Sequence, residues 1–193
     1  CGPLLAQGCF LIMQSEQVKT VFTESIQTQI SAVESLSDML EDTVGLLVNS
    51  LLNGQRLFVQ GNASCRWISR HFAEQMNSGM RLERPAFPVI PLQNYGHQQV
   101  ASLGQRNDIL VVIAAAEGDD KALLETMEVA LSREMIIVAL TGQNNELVSG
   151  LLGADDIEIQ IPSQNPARVL EHQLLICHCL CELIEQTIFP QEH

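Results

Sequence analysis

Positive charge is what this 193-residue chain has least of. Ten Lys and Arg stand against 23 Asp and Glu, giving a net charge of −13 and a pI near 4.6. An acidic surface repels phosphate backbones and anionic headgroups, which argues against direct nucleic-acid or membrane-surface binding; a basic protein partner, or none, fits better. A basic start is missing too. Cys1 to Met13 are apolar and uncharged, but without a cationic leading segment they do not read as a secretory signal. Residues 1–12 are expected to be leader residues ahead of a natural start at Met13, with a single domain over 13–193. No other apolar run approaches the roughly 18 residues a membrane span needs, so a cytoplasmic protein is expected. The six cysteines lack the even spread of a disulfide framework. On a helix Cys177 and Cys181 share a face while Cys179 does not, so they cannot jointly chelate one ion, and reduced, core-packed thiols are expected.

What is present is apolar mass in helical and strand patterns. With 46% apolar residues disorder is excluded, and a domain of this length buries roughly 70% of the surface its unfolded chain exposes. Val18, Phe22, Ile26, Ile30 and Val33 recur at three- and four-residue steps. After Ser37-Asp38, which reads as an N-cap, Met39, Leu40, Val44, Leu47, Val48 and Leu51 continue the pattern to Gly54. Two amphipathic helices are expected, the first with part of its stripe on another subunit. Beyond Gly54, short apolar runs at 56–59, 89–92, 109–113, 135–140 and 157–161 read as strands. Helical patterns at 64–76, 120–133 and 146–151 separate most of them, and a closing helix runs over 166–187. Strands without clean alternation, separated by helices, predict an α/β fold: a three-layer sandwich around a parallel sheet of about five strands. Ligands bind such sheets beyond the carboxyl ends of the strands, which singles out the loops at 60–65, 114–120 and 141–145.

Gln60-Gly61-Asn62-Ala63-Ser64-Cys65 and the following Arg70-His71-Phe72-Ala73-Glu74 resemble the strand-loop-helix of the sugar isomerase (SIS) domain, in its phosphoheptose isomerase branch. Glu83-Arg84-Pro85, Ile137 to Gly142 and Ile161-Pro162-Ser163 recur there at corresponding places. Phe22 to Ile30, Leu151-Leu152-Gly153 and Ile188-Phe189-Pro190 look most like the members of that branch that associate with the DnaA replication initiator. The resemblance spans Met13 to His193. It implies a flavodoxin-like SIS fold and a cytosolic homotetramer. It also implies one of two activities: a zinc-assisted isomerisation of sedoheptulose 7-phosphate, or a scaffold role without turnover.

The site residues separate these. The family's phosphate cradle is rich in Ser and Thr, whereas Ala114 to Asp120 carry no hydroxyl and three carboxylates, Glu117, Asp119 and Asp120. A phosphate dianion there would meet like charge worth several kcal/mol if desolvated. Asn62 and Ser64 match sugar-contacting positions, with Ala63 in place of a glycine, so Asn62, Ala63 and Ser64 are the candidate ligand-binding residues; Ser64 reads equally well as an N-cap. The isomerases pair a helical His with a Glu four residues on. Here His71 is followed by Gln75, a poor general base, and Glu74 points elsewhere. His178 matches the family's histidine while the Gln ligand position is Leu170, so His71 and His178 are weak metal candidates, and neither a catalytic residue nor a cofactor is expected. His172 is expected to be partly solvated beside Glu171. The connection 93–99 is shorter than the family's, which carries substrate-contacting residues and a helix there. By the same resemblance Ile188 and Phe189 are the candidate contacts for a DnaA-type initiator, unless they cap the core or a subunit interface. A scaffold is therefore expected. The alternatives are an isomerase-like enzyme and a regulator binding a sugar derivative.

Overall fold

The computed structural model describes residues 3–115 and 121–191, with side chains from residue 15 onward. A single helix α1 (Pro3–Leu52) is followed by β1 (Leu57–Gly61), α2 (Arg66–Ser78), β2 (Val89–Pro91), α3 (Gly96–Leu103) and β3 (Ile109–Ile113). Then come α4 (Lys121–Ser132), β4 (Ile136–Gly142), α5 (Glu146–Ser149), β5 (Ile157–Ile161) and α6 (Pro166–Ile188). Five parallel strands lie in the order β2-β1-β3-β4-β5, the doubly wound flavodoxin-like arrangement, with its switch point between β1 and β3. The expected α/β sandwich is present.

Strand geometry explains the two cores. Alternate side chains of β1 and β3 point to opposite faces. Leu57, Val59, Ile109, Val111 and Ile113 join a core beneath α1, α2 and α6, while Phe58, Leu110 and Val112 face α3, α4 and α5. Both faces are covered, which is why the strands read as continuous apolar runs rather than alternating ones.

Two expectations are corrected. The first is the break at Ser37-Asp38, through which α1 runs unbroken. The Ser37 hydroxyl donates to the Val33 carbonyl at 2.6 Å, one turn back, and so is spent inside the helix instead of capping a new one. The chain from Leu36 onward packs into the core, whereas Val18, Val21, Phe22, Ile26, Ile30 and Val33 are each at least half exposed. The second is the 93–99 connection. It is short, but it leads straight into α3, a helix whose polar opening Gly96-His97-Gln98-Gln99 hides the periodicity that Val100 would otherwise signal.

Candidate functional site

The loops singled out from the sequence do converge at the carboxyl ends of β1, β3 and β4, but largely on one another. Asn62 is buried. Its Oδ1 accepts from the Ala115 N–H at 2.7 Å and its Nδ2 donates to the Ala115 carbonyl at 3.5 Å. Asn145 approaches from the β4 side, donating to the same carbonyl at 2.9 Å and accepting from the Gly142 N–H at 3.0 Å. Gln173 of α6 donates to the carbonyls of Ala114 and Leu140 at 2.8 and 3.2 Å and accepts from the Cys65 thiol at 3.1 Å. Three amides thus stitch together the strand ends where a ligand's polar groups would otherwise be received. A buried amide that lost these partners would carry an unsatisfied polar group at about 1–3 kcal/mol. Sequence reasoning missed Gln173; the only signal was a Gln in an apolar helical stretch. The acidic residues Glu117, Asp119 and Asp120, with Ala116 and Gly118, lie outside the described residues.

The entry to α2 is unusually tight. A Cβ on Gly61 would stand 2.3 Å from the Cys65 carbonyl oxygen, so only glycine fits there. Ala63 adopts a φ of +31°, the left-handed region that a glycine would occupy without strain. The chain enters α2 through a 3₁₀ turn, Ala63–Cys65, and the N-cap is Cys65 with no side-chain capping bond. Ser64 therefore does not cap the helix and lies exposed.

His71 and His178, from α2 and α6, meet directly: their Nε2 atoms are 2.8 Å apart with the rings edge to face. One nitrogen must donate and the other accept, so the pair is bonded only while at least one ring is neutral. Burial, and then the neighbouring His71 charge, lower the His178 pKa below its ordinary value, favouring the neutral form. A catalytic zinc takes three protein ligands. Among the described residues no group of three His, Cys, Asp or Glu could hold a metal. Among the described residues the two histidines, bonded to each other, fall short of the three ligands such a centre takes. His172 is not partly solvated as expected: it is buried, its Nδ1 2.7 Å from the Arg168 carbonyl oxygen. It lies between Val169 and Ile176 on the core-facing side of α6, at the i+3 and i−4 spacings that share a helix face.

Ile188 and Phe189 end α6 partly buried against the core, not on a free tail. The Phe189 ring stacks on Phe87 at 6.0 Å, and the Arg84 guanidinium lies 3.9 Å from the centre of the Phe87 ring. Arg84 pairs with Glu185 at 3.0 Å, both side chains only 2% exposed. The Glu185 carboxylate also accepts from the N–H groups of Met80 at 2.6 Å and Arg81 at 3.1 Å. Burial alone would raise the Glu185 pKa, but these hydrogen bonds and the Arg84 charge outweigh it and hold it below the usual carboxylate range. A cavity of about 450 Å³ opens beside Phe189, lined by Arg81, Leu82, Glu182 and Pro190. A second, of about 490 Å³, lies between α2 and the link from β2 to α3, lined by Gly61, Arg66, Trp67, Arg70, His71 and Asn94, with Glu74 at its wall.

A doubly wound parallel sheet with its loops gathered at the switch point defines a class of ligand-binding α/β domains, and the relatives specify which. Residues 21–142 match the SIS domain, and the chain belongs to that family. It is 38% identical to the phosphoheptose isomerase of Shewanella denitrificans over 193 residues, covering 92% of this chain and 98% of that protein. It is 39% identical to the DnaA initiator-associating protein DiaA of Shigella flexneri serotype 5b over 193 residues, with coverages of 92% and 98%. A solved phosphoheptose isomerase from Francisella tularensis superposes with a TM-score of 0.82 at 31% identity, covering 90% of this chain and 98% of that one. Among the described residues no helix is long and apolar enough to cross a membrane.

Proposed function

We propose that the chain is a non-catalytic SIS-fold scaffold of the cytoplasm, a homotetramer over residues 13–193 that binds a DnaA-type initiator and promotes the start of chromosome replication, as the name of its DiaA relative suggests. The observation that carries this reading is the spent state of the site. Asn62 is committed to the Ala115 peptide and His71 to His178, and Gln75 offers no base. What remains for turnover is sparse. Self-association falls to the apolar stripe of α1, where Val18, Val21, Phe22, Ile26, Ile30 and Val33 have no cover among the described residues. Ile188 and Phe189, steadied by Phe87 and Arg84, supply an apolar contact for the partner.

The second reading is an isomerase-like enzyme or sugar-derivative binder acting through Asn62, Ala63 and Ser64. It is favoured by the isomerase name of an equally similar relative. One experiment separates the two. The full chain is titrated with millimolar sedoheptulose 7-phosphate and its melting temperature followed, while immobilised protein is offered purified DnaA-type initiator. The scaffold reading expects no thermal shift and saturable capture that Phe189→Ala weakens without changing the molecular mass. A shift of several degrees together with sugar turnover refutes it.

A further inference from the structure

Cations are scarce in this molecule and nearly all are committed. Lys19, Arg56, Arg81, Arg84, Arg106, Lys121 and Arg168 lie in ion pairs, and Arg133 donates to the Ala101 carbonyl. Among the described residues only Arg66 and Arg70 have neither an ion pair nor a hydrogen bond from the guanidinium. Both are exposed, and they stand four residues apart on one face of α2 and line the same cavity. Trp67, the chain's only tryptophan, lines the cavity beside them and is half exposed at 50%. Trp is ordinarily among the most buried side chains on average. Trp, Tyr and Arg are the residues that dominate the energetics of protein interfaces.

We propose that Arg66, Trp67 and Arg70 form the docking site for an acidic segment of a protein partner. The inference deepens the scaffold reading above, on which the identity of the partner alone rests. The chain as a whole is acidic, but the two uncompensated guanidiniums make this rim of α2 locally positive; an arginine fork matches a carboxylate bidentately, and two forks one turn apart select carboxylates spaced along an extended segment. Trp67 takes the apolar side chains between them. A compact phosphate dianion deep in the cavity would meet Glu74 on its wall, whereas an extended segment keeps to the arginine rim. A second copy of this chain is better served by the apolar stripe of α1, which packs against α6 and β5; β5 and β2 are opposite edges of the sheet.

Trp67 is the sole indole, so intrinsic emission reads the site directly. The full chain is titrated with a twelve-residue peptide of Asp, Glu and Leu, and the immobilised chain is offered DnaA-type initiator, each with wild type and Arg66→Gln/Arg70→Gln. The expected result is a saturable blue shift of Trp67 emission with the peptide, and at least tenfold weaker binding of both probes by the double variant at unchanged melting temperature. No response to the peptide overturns the site. So does an equal response to inorganic phosphate or AMP, which assigns a small-anion pocket, or an emission shift with protein concentration alone, which assigns a second copy. Initiator captured equally by wild type and double variant overturns it while sparing the scaffold reading. Arginine-dependent peptide binding without initiator capture keeps the site and removes the initiator.

Discussion

Removing the carboxylate of Glu185 is the sharpest test of how the end of α6 is held. Glu185→Ala takes away the counter-charge of Arg84, whose side chain is 2% exposed, and frees the N–H groups of Met80 and Arg81. Arg84 keeps neutral acceptors in the carbonyls of Met76, Pro85 and Gln75, and Arg81 is exposed to water. The loss should therefore fall at the lower end of the roughly 3–5 kcal/mol seen when one partner of a buried ion pair is deleted. For a domain of this size about 3 kcal/mol lowers Tm by roughly 6–12 °C. Thermal and urea unfolding followed by circular dichroism at pH 7 measures it. Glu185→Gln, which keeps an acceptor without the charge, should lose about half as much. Replacing both partners, as in Arg84→Met/Glu185→Leu, should recover most of the loss, because no unpaired charge is then buried. A loss below about 1 kcal/mol for Glu185→Ala, or a double variant as damaged as the two single losses together, refutes the argument.

The pH dependence of stability should show two windows. The His178 pKa is lowered in the folded chain, so its contribution is complete above the ordinary histidine value of about 6.5 and is lost as pH falls through the folded value. His178→Gln should flatten the fall in urea midpoint below about pH 6.5. The lowered Glu185 value places a further loss below about pH 4.5, which Glu185→Gln should abolish. Gly61→Ala drives a Cβ to 2.3 Å from the Cys65 carbonyl oxygen. It should cost at least about 2 kcal/mol in urea unfolding; an unchanged midpoint would mean the 3₁₀ turn relaxes freely.

Some of this was written locally and some was not. Apolar runs of strand length bounded by turn residues are a property of adjacent positions, so β3 and β5 carry the same limits in the sequence and in the fold. α3 was hidden because its first four residues, Gly96 to Gln99, include no large apolar side chain. Ser37 misled because a hydroxyl followed by Asp is cap chemistry at a helix start and an ordinary i−4 hydrogen bond inside one. Only the neighbours decide which.

At the site the division is the same. Residue chemistry alone determined that Gln75 is no base, that Gly61 and Ala63 sit in a turn-forming loop, and that His71 lies on a helix. What those side chains touch depends on residues more than a hundred positions away: His178 for His71, Gln173 for Cys65 and Glu185 for Arg84. The same holds for the arginines. Composition says that ten cations share 23 carboxylates, and only the tertiary structure decides that Arg66 and Arg70 have none beside them among the described residues. Pairing is a matter of distance in space, and a carboxylate must come within about 4 Å to form an ion pair, a condition that separation along the chain does not encode.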